Sequence, residues 1–149
     1  MNVEDYIKRT VGTSDALGQL QSSIIKSFRS ASFKLFWRNW NPLFGYFLSK
    51  YVNRPVSRKL NGVISSLFTF LFSGLILHDI WIIPLFYILL HKIVLFPVTL
   101  IFFCFWLLMI LESSVKFRKK INNSSIHVLI NIIYVMGGSI LGGLISSVI

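Results

Sequence analysis

Acidic residues are scarce in this sequence: five Asp or Glu stand against fifteen Lys or Arg, a formal charge of +10. So basic a chain needs an anionic partner. Its Lys and Arg border apolar stretches, which points to lipid headgroups and away from nucleic acid. Cysteine occurs once, as Cys104 inside an apolar run. An intrachain disulfide is therefore excluded, no redox compartment can be inferred, and Cys104 reads as a small buried residue. Charge of either sign is nearly missing from two long stretches: 61–111 holds only Asp79 and Lys92, and 121–149 holds none. CxxC, HExxH, a glycine-rich phosphate loop and a nucleophile-elbow serine are all missing, so no metal or cofactor is expected from motifs. There is no internal repeat or low-complexity tract. The opening MNVEDYIKRT carries acids early and lacks an apolar core before a cleavage site, so no secretory signal peptide is expected.

What the chain does contain is apolar and aromatic. Hydrophobic residues make up 54% and charged residues only 13%, with mean hydropathy +0.71, a composition that makes lipid the solvent for much of the chain. The fold class expected is all-α: a polytopic membrane protein with interfacial amphipathic helices followed by about three transmembrane helices. One domain is expected, with residues 1–60 forming the cytoplasmic, interfacial region and 61–149 the transmembrane region.

Residues 1–12 show no clear periodicity. From Thr13 or Ser14, either of which could cap a helix, Leu17, Leu20, Ile24, Phe28, Ala31 and Leu35 recur at helical spacing, with Lys26 and Arg29 off the stripe. Such a helix either lies in the membrane interface or packs on its own protein. In FKLFWRNW the rings of Phe33, Phe36, Trp37 and Trp40 are read as spread around the helix between Lys34 and Arg38, at headgroup depth. Asn41-Pro42 should cap and start a new helix, and Pro55 should interrupt it. Eight Lys or Arg and no acid lie between Ala16 and His78, which assigns this region to the cytoplasmic side.

A first crossing is expected over 61–77, ending at His78-Asp79. Over 80–111 the sequence fits either one long kinked helix or a short buried segment followed by a span from Ile93. Basic residues recur at 116–120, again cytoplasmic. A last span over 126–149 carries Gly137, Gly138, Gly142 and Gly143, which suit either close approach of another helix or a glycine-tolerant membrane helix. Three crossings leave the C-terminus on the far side. Such an integral, multi-pass protein would reside in the plasma or inner membrane if bacterial.

His78 beside Asp79 is the pair singled out as a functional candidate, because ionisable groups at membrane depth are costly to keep. The imidazole reads equally as a helix-end group reaching interfacial water. Asp79 is expected to cap the helix that follows it. His91 and His127 are read as interfacial or span-start residues without a catalytic role.

The run FWRNWNPLFGYFLSKYVNRPV, followed by a span ending FLFSGLILHD, resembles the late, histidine-containing portion of the membrane-bound O-acyltransferase family over about residues 28–111. Phe36, Trp37, Trp40 and Asn41 match that family's FW-x-x-W-[H or N] stretch, and Tyr51 and Pro55 its Y-x-x-x-P. Ser73, Gly74 and His78 match S-G-x-x-H with one extra residue before the histidine. The resemblance implies transfer of an acyl group from a thioester, such as acyl-CoA or acyl carrier protein, to a hydroxyl acceptor. His78 would be the catalytic histidine, Asn41 the second polar residue of the site, and Trp37, Trp40 and Ser73 would contact substrate. A neutral His78 could take the acceptor's proton while an Asn41 amide donor supports developing charge. Asp79, where relatives carry a small residue, could alter the ionisation of that histidine. The competing expectation is a non-catalytic small membrane protein or an accessory subunit of an acyltransferase assembly. Three crossings enclose little volume, so a second copy of the chain or a separate membrane subunit is expected as partner, packed on the face of Gly138 and Gly142.

Overall fold

Local capping and proline chemistry decide most of the helix boundaries in the computed structural model, which describes residues 3–12, 16–91, 96–115, 118 and 121–148. All regular elements among these residues are helical. Helix α1, Val3–Val11, is closed by Gly12 at φ +86, whose N–H bonds the Lys8 carbonyl at 2.8 Å. Helix α2, Ala16–Phe28, follows; its proposed caps Thr13 and Ser14 lie outside the described residues.

The apolar stripe expected to continue to Leu35 breaks after Phe28. The hydroxyls of Ser27 and Ser30 donate to the carbonyls of Ser23 and Lys26, and Ser32 accepts the Leu35 N–H at 3.2 Å to start helix α3, Phe33–Trp40. Serines offering local partners to the backbone favour such breaks and caps. Helix α2 buries Ser23 and Ser27 while Leu17, Leu20, Ile24 and Ile25 stay exposed. That orientation suits a helix lying against lipid.

Helix α3 corrects the second expectation. Phe33, Phe36, Trp37 and Trp40 follow the i, i+3, i+4, i+7 spacing of one helical face, and that face turns inward: Phe33 and Phe36 are fully buried. They join Phe105 and Met109 in the core, with the Phe33 ring packed edge-on to Phe105 and Tyr134.

Asn41 and Pro42 act as expected. The Asn41 Oδ1 accepts the Phe44 N–H at 3.1 Å, and Pro42 opens α4, Pro42–Leu48. Pro55, however, does not interrupt the helix. A π turn, Ser49–Asn53, carries the chain into α5, Arg54–Ser57, with the Arg54 N–H bonded to the Ser49 carbonyl. The wider turn just ahead of a proline relieves the clash and missing donor that would break a regular α-helix.

Asn61 caps α6, Gly62–Gly74, by accepting the Ile64 N–H at 2.9 Å. The crossing expected to end at His78-Asp79 continues instead through a π turn, Leu75–Asp79, into α7, Ile80–Leu90. Gly62–Leu89 thus forms one apolar helix of 28 residues, about 42 Å at the α-helical rise and ample for ~30 Å of hydrocarbon. His91, in the left-handed region, ends it. The second crossing is α8, Pro97–Val115, and the third is α9, Ser124–Val148. Of the alternatives left open over 80–111, the first half therefore extends the first crossing, and the second crossing begins by Pro97.

Helix α8 is the central one, flanked by α6 and α9. Thr99 meets Gly74 and Trp106 meets Ser66, while Ile101 meets Gly142 and Phe105 meets Gly138. Both pairs are antiparallel, so the start of α6, the end of α8 and the start of α9 share one end of the molecule.

At that end lies a buried polar node that sequence reasoning missed. Arg118 pairs with Glu112 at 3.0 Å, donates to Asn131 Oδ1 at 3.0 Å and reaches the Ser30 carbonyl at 2.8 Å. Glu112 also accepts the Phe33 N–H at 2.6 Å, and the Asn131 amide donates to the Phe28 and Ser30 carbonyls. These bonds serve the polar groups exposed by the α2–α3 break and fix α3 against α8 and α9. Arg118 belongs to the basic cluster read as lipid-facing, yet it is buried; an amide inside an apolar span, Asn131, was the available signal.

Candidate active site

Helices α3, α4, α6 and α8 enclose a cavity of about 450 Å³, within the usual range for small-molecule sites. All five residues singled out as site candidates line it: Trp37, Trp40, Asn41, Ser73 and His78. Tyr51, from the matched Y-x-x-x-P stretch, does not; it is exposed and stacks on Phe47.

The wall from α6 is polar because Ser66, Thr69 and Ser73 recur at i, i+3 and i+7. His78 should not join that face. Five residues of α-helix turn through about 500°, which would leave His78 roughly 140° away from Ser73. The π turn narrows this offset, since its i to i+5 geometry brings residue i+5 back over residue i. The His78 Nδ1 accordingly lies 2.8 Å from the Ser73 carbonyl, five residues earlier. The extra residue before the histidine in the S-G-x-x-H resemblance is thus absorbed by one π turn.

A carbonyl oxygen can only accept, so the neutral imidazole carries its proton on Nδ1 and keeps the Nε2 lone pair free. The His78 ring packs against Phe102, with centroids 5.2 Å apart, and Phe102 in turn meets Trp37. Across the cavity, Asn41 spends its carbonyl oxygen on the Phe44 N–H. Its NH₂ is the end left to donate. Asn53 ties the far side shut, donating to Thr69 Oγ1 at 3.2 Å and Ser65 Oγ at 3.4 Å.

Asp79 does not form the pair expected with His78. It is fully buried, and its two carboxylate oxygens accept the Val98 and Thr99 N–H groups, each at 2.9 Å. It is a capping residue, as read from the sequence, but for α8 and not for the helix that follows it. The physical reason is continuity: the N–H groups after Asp79 are already bonded within the π turn and α7, while those at the start of α8 are free for capping. Gly74 lets the two helices meet here, since a Cβ on it would stand 2.5 Å from Thr99 Cα.

Three helices long and apolar enough to cross a membrane, two of which line a cavity that presents a half-buried histidine, define a polytopic membrane protein with a polar cavity among its helices. Residues 17–147 match the model of the membrane-bound O-acyltransferase family, and the chain belongs to that family. The match reaches well beyond the 28–111 stretch that carries the motifs. Comparison with curated proteins and with solved structures gave no match.

Proposed function

We propose that this chain transfers an acyl group from a thioester to a hydroxyl in the cavity beside His78, with Asn41 as the second polar group. The observation that carries this reading is the 2.8 Å contact of His78 Nδ1 with the Ser73 carbonyl on the cavity wall, which in the neutral imidazole makes Nε2 the basic nitrogen. In the reaction, Nε2 takes the acceptor's hydroxyl proton as that oxygen attacks the thioester carbonyl carbon. The C–S bond then breaks, and the departing thiolate takes the proton back from the imidazolium. An amide N–H from Asn41 supports the oxyanion formed between these steps. Trp37, Trp40 and Ser73 act as substrate contacts. The apolar lining from Phe70 and Phe102 suits an acyl chain and keeps the dielectric low around the reacting atoms.

The test is thiol release from acyl thioesters of graded chain length by the purified protein in lipid nanodiscs, with and without a hydroxyl acceptor. Wild-type protein should release thiol, and His78→Ala should lower the rate by about 10²–10⁴-fold while inserting at normal abundance. A wild-type rate from a well-expressed His78→Ala protein would eliminate the assignment. No turnover by the wild-type chain with any donor would favour the non-catalytic, accessory reading.

A further inference from the structure

Part of the cavity wall comes from outside the residues that match the family. Tyr6 of α1 lines the cavity together with the residues of α3, α4, α6 and α8, yet α1, Val3–Val11, precedes the matched stretch 17–147. Val3, Tyr6, Ile7 and Thr10 are half-buried, whereas Glu4, Asp5, Lys8 and Arg9 are exposed. That i, i+3, i+4, i+7 spacing gives α1 one face with which to dock. The Tyr6 ring packs against Tyr46 of α4, with centroids 5.5 Å apart. A Cβ on Gly45 would lie 3.8 Å from the Tyr6 Oη and 4.0 Å from the Arg38 carbonyl oxygen, so the phenol stands over the α3–α4 junction that holds Asn41.

The attachment of α1 is slight. Gly12, at φ +86, ends it, so α1 is a separate helix and not an extension of α2. At that end Lys26 of α2 donates to the Thr10 carbonyl at 2.9 Å, a solvent-exposed bond that also sets a cation at the negative end of the helix dipole. Nine residues are too few to hold a helix alone in water, where about 12–15 are needed. The helical form of α1 therefore depends on docking, and segments held by few buried contacts are those that open locally.

We propose that α1 is a displaceable cover on the cavity, with Tyr6 as the group that closes it and Lys26 as the latch, and that ligands enter past α4 when α1 lifts. Although the cavity is the one in which acyl transfer is placed, the cover acts on any ligand, whether or not the chain turns it over.

The experiment reads access to the cavity and not turnover, so it is unaffected if the chain proves inactive. Ser73→Cys in a Cys104→Ala background puts a single thiol on the cavity wall of the full chain in zwitterionic nanodiscs. Its rate of modification by the impermeant reagent 2-sulfonatoethyl methanethiosulfonate is then measured. Tyr6→Ala should raise that rate at least about tenfold, and Tyr6→Phe, which keeps the ring, should leave it near the starting value. Lys26→Gln, outside the cavity, should raise it about two- to fivefold by loosening α1, whereas Lys26→Arg should not. The native Cys104, buried away from the cavity wall, is the reference thiol in chains that keep Ser73, and it should stay unreactive in every variant. An unchanged Ser73→Cys rate in Tyr6→Ala would overturn the cover, as would a matching gain at Cys104, which marks general loosening. Acceleration by Tyr6→Ala without acceleration by Lys26→Gln would also overturn it, since Tyr6 would then be a fixed part of the wall.

Discussion

His78 and Asp79 are neighbours in sequence but serve different elements. The imidazole turns to the Ser73 carbonyl within its own helix, whereas the carboxylate crosses to the first turn of α8. Asp79 should therefore matter for stability first. Asp79→Ala strands two N–H groups at a buried helix start and should cost about 2 kcal/mol, the upper end for a lost cap. Asp79→Asn, which keeps one acceptor, should cost less. Denaturant titration in mixed micelles measures both, and any activity should fall in step with the folded fraction. A stable Asp79→Asn protein with no activity would instead return Asp79 to the role of the histidine's partner.

Glycine decides which helix faces meet. Gly142 sits against the backbone of Ile101, where a Cβ would fall 2.5 Å from its Cα, and Gly138 sits against the Phe105 ring, where a Cβ would fall 2.6 Å from Cδ1. The face expected to receive another chain is thus filled by the chain's own α8. Gly142→Ala should destabilise by about 1–3 kcal/mol through overpacking, more than Gly138→Ala, because a side chain yields more readily than backbone. Gly137 and Gly143 have nothing within 4 Å of an added Cβ. Alanine there should be neutral or should stabilise by up to about 1 kcal/mol, since it reduces the chain entropy lost on folding. Thermal unfolding of the four variants in one detergent tests the ranking. Should Gly137→Ala and Gly143→Ala instead weaken crosslinking between chains in native membranes, that outer face would be where a second copy or a separate subunit packs.

At the scale of the molecule, the antiparallel order of α6, α8 and α9 brings the Arg54–Ser57 helix and the C-terminal end of α8, after which the basic residues at 116–120 follow in sequence, to one end. Positive charge is retained on the cytoplasmic side of a membrane, so both segments should label there and the C-terminus opposite. Single cysteines placed at 58, at 119 and after Val148, in a Cys104→Ala background, can be probed with an impermeant maleimide. Labelling of 58 and 119 from opposite sides would contradict the three-crossing topology.

The apolar composition and the charge-free stretches determined by themselves that this is a helical membrane protein, because hydrocarbon leaves backbone polar groups few other ways to be satisfied. The cap at Asn41 was legible too, since capping depends on residues three or four apart. His78 stands out through its motif and its rarity in an apolar span, and it lies on the cavity wall. The sequence could not reveal that α6 continues past Asp79, because a π turn leaves no mark in apolar periodicity. Nor could it place the carboxylate of Asp79 on α8 or close the Gly138–Gly142 face with Phe105 and Ile101. Those outcomes depend on contacts between residues distant in the chain, and only the packing of α6, α8 and α9 brings those residues together.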